Sequence, residues 1–157
     1  MRGGAAAILM LGLATATQSA AAPPATMDAQ GIDAWRKANI QADGGWALLH
    51  ADGAALSYAG GPNGVRADKD GFLHVDVRRE YYRPVRLGPQ PSRSNLQTWV
   101  VDCELKRLRI TGMNFYPQNN MQGDGFRKSA DEAGWTPAET SNLGLVDRIC
   151  AAAPKSQ

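Results

Sequence analysis

Residues 94–117, SNLQTWVVDCELKRLRITGMNFYP, decide the predicted fold. They predict two β-strands joined by a short turn over residues 104–106. The apolar side of the first strand comprises Trp99, Val101 and Cys103, and its other side comprises Thr98, Val100 and Asp102. On the second strand, Leu108 and Ile110 alternate with Arg107, Arg109 and Thr111. Such period-two alternation predicts half-buried strands with one face in a core and the other in solvent.

The N-terminus has the layout of a secretory signal peptide. Arg2 supplies a positive charge, residues 5–17 form an apolar segment, and small residues follow at positions 19–22. The apolar segment is too short to span a membrane, so we predict no membrane span. Residues 1–21 are therefore predicted to be a signal peptide, cleaved after Ala20 or Ala21. We expect the mature chain to be exported, to the periplasm or to the cell surface and extracellular space.

Export changes how the two cysteines, Cys103 and Cys150, are interpreted. In an oxidising compartment, two cysteines favour one structural disulfide. A thiol nucleophile and a metal ligand are the functional alternatives. A thiol catalyst would need a histidine partner, and the chain offers only His50 and His74.

The length of 157 residues fits one domain. Residues 22–27, rich in proline and alanine, are predicted to be a flexible linker, and residues 28–153 to be the single domain. A formal net charge of +2 is too small to indicate a nucleic-acid partner.

Two helices are predicted, one near each end of the domain. Residues 27–42 carry apolar side chains at helical spacing after Asp28, a suitable N-cap. Residues 139–152 form the second helix, with apolar positions at Leu143, Leu145, Val146 and Ile149. Because Cys150 lies in its last turn, a disulfide to Cys103 would tie this helix to the sheet. The predicted class is α+β: a small antiparallel sheet, an N-terminal helix, and a C-terminal helix held by one disulfide.

The remaining strands and loops follow from alternation and from turn residues. Residues 46–50 and 54–59 predict a hairpin, residues 72–82 the cleanest single strand, and residues 126–129 a last short strand. Glycine-rich residues 60–64 and three prolines within residues 83–93 predict irregular connections. An open edge strand would allow a homodimer through β-pairing.

No motif assembles a metal site. Asp68, Asp70 and Gly71 resemble the start of a calcium loop, but the other oxygen ligands are absent at the required spacing, which favours a solvated turn. His50 and His74, with Asp76, lack an evident third protein ligand for zinc.

No motif assembles a catalytic site either. Ser57 and Ser92 lack a nucleophile elbow, and no phosphate-binding glycine loop is present. We therefore predict no enzyme activity and no cofactor.

The most suggestive surface feature is a concentration of arginine and tyrosine around residues 78–93. This composition is typical of a protein-binding patch. A solvated strand face is the plainer interpretation. The candidate patch comprises Arg78, Arg79, Tyr81, Tyr82, Arg83, Arg86 and Arg93.

About 60 residues of the C-terminal half resemble the surface-adhesin protein E-like family of exported proteobacterial proteins. The matching features are listed in chain order: Ser94, the run Val101-Asp102-Cys103, Arg107, Arg109, Tyr116, the glycine-containing loop at residues 123–125, Trp135, Ser141, Leu145 and Cys150. The resemblance implies a small antiparallel sheet with a disulfide-tied C-terminal helix. It also implies an adhesin that binds host matrix and plasma proteins.

Three functions follow as hypotheses. The leading one is an exported, non-catalytic binding module of this family, which uses residues 81–93 or the loops at residues 60–71 and 118–125 to bind a host matrix or envelope protein. The second is a periplasmic inhibitor or envelope accessory protein that acts on a cell-wall enzyme. The third, a hydrolase, lacks any assembled acid–base or nucleophile set.

Overall fold

The computed structural model describes residues 21–129, 134–138 and 140–153. Residues 1–20, most of the predicted signal peptide, lie outside these ranges. The helices are α1 (Ala29–Asn39), a 3₁₀ turn, η1 (Asn119–Met121), and α2 (Thr140–Ala152). The strands are β1 (Trp46–Ala51), β2 (Ala55–Ala67), β3 (Leu73–Arg86), β4 (Pro91–Asp102), β5 (Arg107–Tyr116), β6 (Phe126–Ser129) and β7 (Thr136–Pro137).

Within the described residues, seven strands form one antiparallel sheet. The strand order is β1-β2-β3-β4-β5-β6, so neighbours in sequence are neighbours in space, and β7 pairs with the start of β5. Short connections between sequential strands give this meander. The predicted α+β class with an antiparallel sheet and two flanking helices is confirmed.

Each face of the sheet carries its own apolar cluster. On one face, Leu145, Val146 and Ile149 of α2 pack with Trp99 and Val101 and with buried residues of β1, β2, β3 and β5. The opposite face, which we call the α1 face, holds a smaller cluster. Its buried members are Trp35, Ile40, Leu56, Tyr58 and Tyr82. The side chain of Leu143, a predicted apolar position of α2, lies outside the description.

The first helix begins where its cap predicts. The Asp28 carboxylate accepts a hydrogen bond from the Gly31 backbone N–H at 2.7 Å, which satisfies one of the free N–H groups at the helix start. Upstream, the indole N–H of Trp35 donates to the carbonyl of Ala22 at 2.6 Å, and Pro24 is buried. The segment predicted as a linker therefore contacts the domain at these points.

Strand β4 differs from the half-buried prediction. Its supposed solvent side includes Val100 and Asp102, and Val100 is only 2% exposed. Period-two alternation predicts which side chains share a face, but not whether that face is covered. On β4 this second face is covered at Val100.

The two predicted irregular connections are also wrong, because both segments belong to strands. Residues 60–64 lie inside β2, where the β2–β3 register shifts between Gly60 and Val65. Gly60, Gly61 and Gly64 all have positive φ there, a conformation that glycine adopts without strain. Glycines in a strand can therefore mark a bulge rather than its end.

The prolines of the other segment occupy tolerated strand positions. Pro84 lies in the bulge where the β3–β4 register shifts between Glu80 and Val85, and Pro91 is the first residue of β4. A proline at a bulge or strand start costs no ladder hydrogen bond. The connection shrinks to residues 87–90.

Candidate functional site

The seven residues of the predicted patch do not form one surface. The buried ones are Arg78, Tyr81, Tyr82 and Arg93. Arg79 is half-buried, and Arg83 and Arg86 are exposed. The face of β3 that carries Arg78 was expected to lie in solvent, but the end of α1 and η1 cover it around Arg78. Burial withdraws those four side chains from direct contact with a partner.

Arg78 belongs to a buried ion pair. Its Nε donates to Oε1 of Glu80 at 2.6 Å, and the two side chains are 3% and 0% exposed. Two further donations, to the Gln41 carbonyl at 2.8 Å and to Oδ1 of Asn120 at 2.9 Å, join β3 to the end of α1 and to η1. Trp46 and Tyr58 contribute aromatic rings within 6 Å of its guanidinium carbon, at 5.8 and 5.7 Å.

Donors surround the carboxylate of Glu80. Asn119 donates its side-chain amide to Oε2 at 3.0 Å, and the Asn120 backbone N–H donates to Oε1 at 3.0 Å. Burial raises the pKa of Glu80, while Arg78 and the asparagine donors oppose that rise. This arrangement is a structural clamp among three elements. The signal in the sequence was an arginine and a glutamate two positions apart on one strand, which places both on one face.

The two tyrosines and Arg93 also have structural partners. Tyr82 meets Trp35 edge to face at 5.1 Å between ring centroids, and burial raises the pKa of Tyr82 to about 12. The hydroxyl of Tyr81 accepts from the Asn95 side chain at 2.9 Å. Arg93 donates to the carbonyl of Ala21, and burial lowers the pKa of Arg93.

The exposed remainder lies at the tip of the β3–β4 hairpin. Arg83, Arg86 and Leu87 project there, and Leu87 is 47% exposed. We call these three residues the hairpin tip. Within the part of the chain that the structure describes, neither arginine makes an ion pair.

Two contacts hold the hairpin tip in place. Gly88 lies so close to the Phe126 ring that a Cβ would meet it at 2.1 Å, and Phe126 stacks on Phe115 at 4.9 Å. Gln90 donates from its side-chain amide to the Asp124 carbonyl at 2.8 Å. The hairpin tip is therefore an ordered projection rather than an unanchored loop.

The disulfide is confirmed. Cys103 and Cys150 are bonded, with 5.8 Å between their Cα atoms, and no free cysteine remains among the described residues. The alternatives of a thiol nucleophile and a cysteine metal ligand are therefore wrong, since both need a free sulfur. The bond ties the end of α2 to the turn after β4, beside the apolar cluster that α2 covers.

The calcium-like turn is closed by its own backbone. Asp68 accepts from the backbone N–H groups of Asp70 and Phe72 at 2.9 and 3.0 Å, and its second oxygen contacts Nε2 of His74 at 2.9 Å. The His74 contact is the main cause that lowers the pKa of Asp68. This carboxylate thus has local partners for both oxygens.

The other candidate catalytic groups include one neighbouring pair, His50 and Ser57, but no hydrogen bond joins these two side chains in the part of the chain that the structure describes. His50 pairs across the ladder with Ser57, whereas His74 pairs with Arg66 near the far end of β2. Ser57 and Ser92 are both buried. In residues 21–129, 134–138 and 140–153, no three or more His, Cys, Asp or Glu side chains group closely enough to hold a metal ion.

A single antiparallel sheet, a disulfide-tied helix and a projecting arginine-bearing hairpin define a small α+β domain, and comparison with known families identifies its class. Residues 46–151 match the family described as Surface-adhesin protein E. Because the match covers more than half of the chain, the chain belongs to this family of adhesin-like surface proteins.

A solved structure with a TM-score above 0.5 has the same fold. One structure of Haemophilus influenzae protein E has a TM-score of 0.51 and 18% identity, and the alignment covers 75% of this chain and 94% of that one. A second crystal form has a TM-score of 0.49 and 17% identity, covering 72% of this chain and 95% of that one. A search of curated proteins gives no match. Among the described helices, none is long and apolar enough to cross a membrane.

Proposed function

We propose that this chain is an exported, non-catalytic protein-binding module that contacts its partner through the hairpin tip. The family supports an adhesin-like role. The observation that carries the proposal is a pair of exposed arginines that make no ion pair with any described residue, beside an exposed leucine on an anchored hairpin. Arginine is enriched where protein interfaces concentrate their binding energy, and an ordered projection loses little entropy on binding.

The partner class follows from the family. Haemophilus influenzae protein E is a solved protein with a similar fold, and the family description names a surface adhesin. We therefore propose host matrix or plasma proteins as partners. The alternative, an inhibitor of a cell-wall enzyme in the periplasm, has no contact in the described residues that favours it over the adhesin role.

Charge reversal at the hairpin tip tests the proposal. The mature protein, its Arg83→Glu/Arg86→Glu variant and a control would be compared by interferometry on immobilised basement-membrane extract and on plasma. We expect the variant to bind at least tenfold more weakly, because both arginines contact the partner, with an unchanged melting temperature. The matched control is Arg127→Glu/Lys128→Glu, which reverses two exposed charges on β6.

Two outcomes would overturn this proposal. Equal loss of binding in the control would mean that net charge alone drives adsorption. Absence of wild-type binding to both probes, together with protection from protease added to intact cells, would remove the adhesin role and favour a periplasmic partner.

A further inference from the structure

A second group of polar side chains lies on the α1 face, beyond the part that α1 covers, on both sides of the buried Val100. Ladder register places Arg66, His74, Val100 and Arg109 side by side on β2, β3, β4 and β5. Because directly opposed residues share a face, all four project to the side that also carries Arg78 and Glu80. None of the four belongs to either apolar cluster. We call this set the cross-strand row.

Most charges beside the cross-strand row are compensated locally. His74 contacts Asp68 at 2.9 Å, Arg107 contacts Asp102 at 2.8 Å, and Asp76 accepts from the Thr98 hydroxyl at 3.0 Å.

Two guanidinium groups are the exceptions. Neither Arg66 nor Arg109 makes an ion pair with any described residue. Arg66 is exposed, and Nε of Arg109 is shielded without a hydrogen-bond acceptor. The row therefore ends in one uncompensated cation on each side.

Trp135 positions the arginines at the β5 end. The guanidinium carbons of Arg107 and Arg109 lie 4.7 and 5.3 Å from its ring centroid. Phe72 meets the same ring at 4.9 Å, which fixes the indole against β3. Stacking on a held aromatic ring orders a guanidinium before any partner arrives, so less entropy is lost on binding.

We propose that the cross-strand row binds an extended acidic segment of a partner protein, with its carboxylates at alternate positions. Neighbouring strands lie about 4.8 Å apart, so Arg66 and Arg109 on β2 and β5 are separated by roughly 14 Å. In an extended peptide, side chains at positions i and i+4 share one face and lie about 13 Å apart. A carboxylate at each of those positions would reach both arginines, and one at i+2 would lie midway along the row, between His74 and Val100.

The surrounding chemistry favours spaced carboxylates over a continuous polyanion. Beside the row is a cleft of about 240 Å³ whose lining includes Asn63, Arg66, His74 and Asp76. The Asp68 carboxylate contacts His74, and the Asp76 carboxylate lines the cleft together with Arg66 and His74. These two carboxylates would repel the unbroken charge of a nucleic acid or a sulfated glycan, whereas a peptide can place neutral residues opposite them.

The test uses two fluorescein-labelled peptides of one composition, followed by anisotropy at low salt with the mature protein. One carries three glutamates separated by threonines, and the other carries three adjacent glutamates followed by the threonines. We expect the spaced peptide to bind at least threefold more tightly. Arg66→Glu/Arg109→Glu should lower its affinity at least tenfold, and Arg127→Glu/Lys128→Glu should change it less than twofold.

A single substitution controls for the case in which the double variant fails to fold. Arg66 is exposed, so Arg66→Glu leaves the packing intact and should still lower the affinity at least threefold. Equal affinity for the two peptides, full binding by Arg66→Glu, or tighter binding of heparin or of anionic phosphatidylglycerol vesicles would each overturn the proposal. The Arg83→Glu/Arg86→Glu variant should keep its peptide binding, so this proposal and the hairpin-tip proposal can fail separately.

Discussion

At the scale of single residues, short carboxylate side chains set the turns of this sheet. Asp102 ends β4, and its Oδ1 accepts from the backbone N–H groups of Glu104 and Leu105 at 3.1 and 3.0 Å. Its other oxygen holds Nε of Arg107 at 2.8 Å. Asp52 and Asp68 accept backbone hydrogen bonds in the β1–β2 and β2–β3 turns. Aspartate is favoured at such positions because its oxygen replaces a missing backbone acceptor.

Asp102 should make stability depend on pH in the acid range. The Leu105 backbone hydrogen bond is the largest cause that lowers the pKa of Asp102, and Arg107 adds to it. A lowered pKa in the folded state means that the stabilisation is complete above the unfolded value of about 3.9. It is lost as the pH falls through the folded value.

Asp102→Asn tests this pH dependence. Urea unfolding at pH 7 should show the variant to be less stable than the wild type, because the ion pair with Arg107 is gone. The difference in the free energy of unfolding should shrink as the pH falls below the unfolded pKa of aspartate and the wild-type carboxylate becomes protonated. A difference that stays constant from pH 7 to pH 2.5 would contradict the assignment.

Predictions for single residues were confirmed where a side chain forms a hydrogen bond to a residue close by in sequence. The N-cap at Asp28 is an interaction across three positions in sequence, and residue type alone indicates it. Arg78 was misassigned to the surface because the segments that cover it are distant in sequence. Gln41 and Asn120, which accept from it, lie 37 and 42 positions away.

At the scale of secondary-structure elements, the buried Arg78–Glu80 pair joins parts that the sheet alone does not hold. Asn120 donates from its side chain to the Asn39 carbonyl at 2.9 Å and accepts from the Gln41 backbone N–H at 2.8 Å. Asn120 has a φ of 62°, a left-handed conformation that asparagine tolerates better than most residues. The end of α1 is therefore fixed to β3 through η1.

Glu80→Gln should destabilise the fold strongly. The variant keeps the size of the side chain but leaves the buried Arg78 guanidinium without a counter-charge and places an amide N–H₂ against donors. Breaking a buried pair from one side costs about 3 to 5 kcal/mol. Urea unfolding would measure this as a fall in the midpoint.

The matched control replaces an exposed glutamate. Glu104→Gln lies in the β4–β5 turn and should change the free energy of unfolding by less than about 0.5 kcal/mol. A Glu80→Gln effect as small as that of the control would show that the clamp contributes little to stability.

Element boundaries were predicted well where alternation ends at a turn, and poorly where a bulge continues the strand. Strand β1, the start of β2, the last short strand β6 and both helices lie within a few residues of their predicted places. Residues 60–64 and 83–93 carry turn-type residues inside strands. Glycine and proline disturb local pairing, but the flanking ladder restores the register, which a local pattern does not reveal.

At the scale of the whole molecule, one bond closes the domain. The Cys103–Cys150 disulfide spans 47 positions and fastens the last helix over the larger apolar cluster. The predicted export of the chain led to the prediction of this disulfide, because two cysteines in an oxidising compartment favour one bond between them. The α1 face, opposite α2, is covered partly by α1 and carries buried polar side chains such as those of Arg78 and Glu80. The sequence pattern did not predict this arrangement.

Removing this bond should lower stability without changing the fold class. In the loop-entropy account, closing a loop of this length is worth about 4 kcal/mol. Cys103→Ser/Cys150→Ser should therefore melt at a lower temperature than the wild type. Dithiothreitol should lower the wild-type melting temperature and leave that of the variant unchanged. A wild-type melting temperature that ignores the reductant would contradict this role.

The same bond determines what a protease can remove. A single backbone cut at any position between Cys103 and Cys150 yields two polypeptides that stay covalently joined, with a gain of only one water in mass. On a gel such a nicked molecule would run as one band without reductant and as two with it. A cut before Cys103 would instead free the N-terminal piece from covalent linkage. For a protein outside the cytoplasm, the C-terminal third is thus the part in which a first proteolytic cut releases nothing.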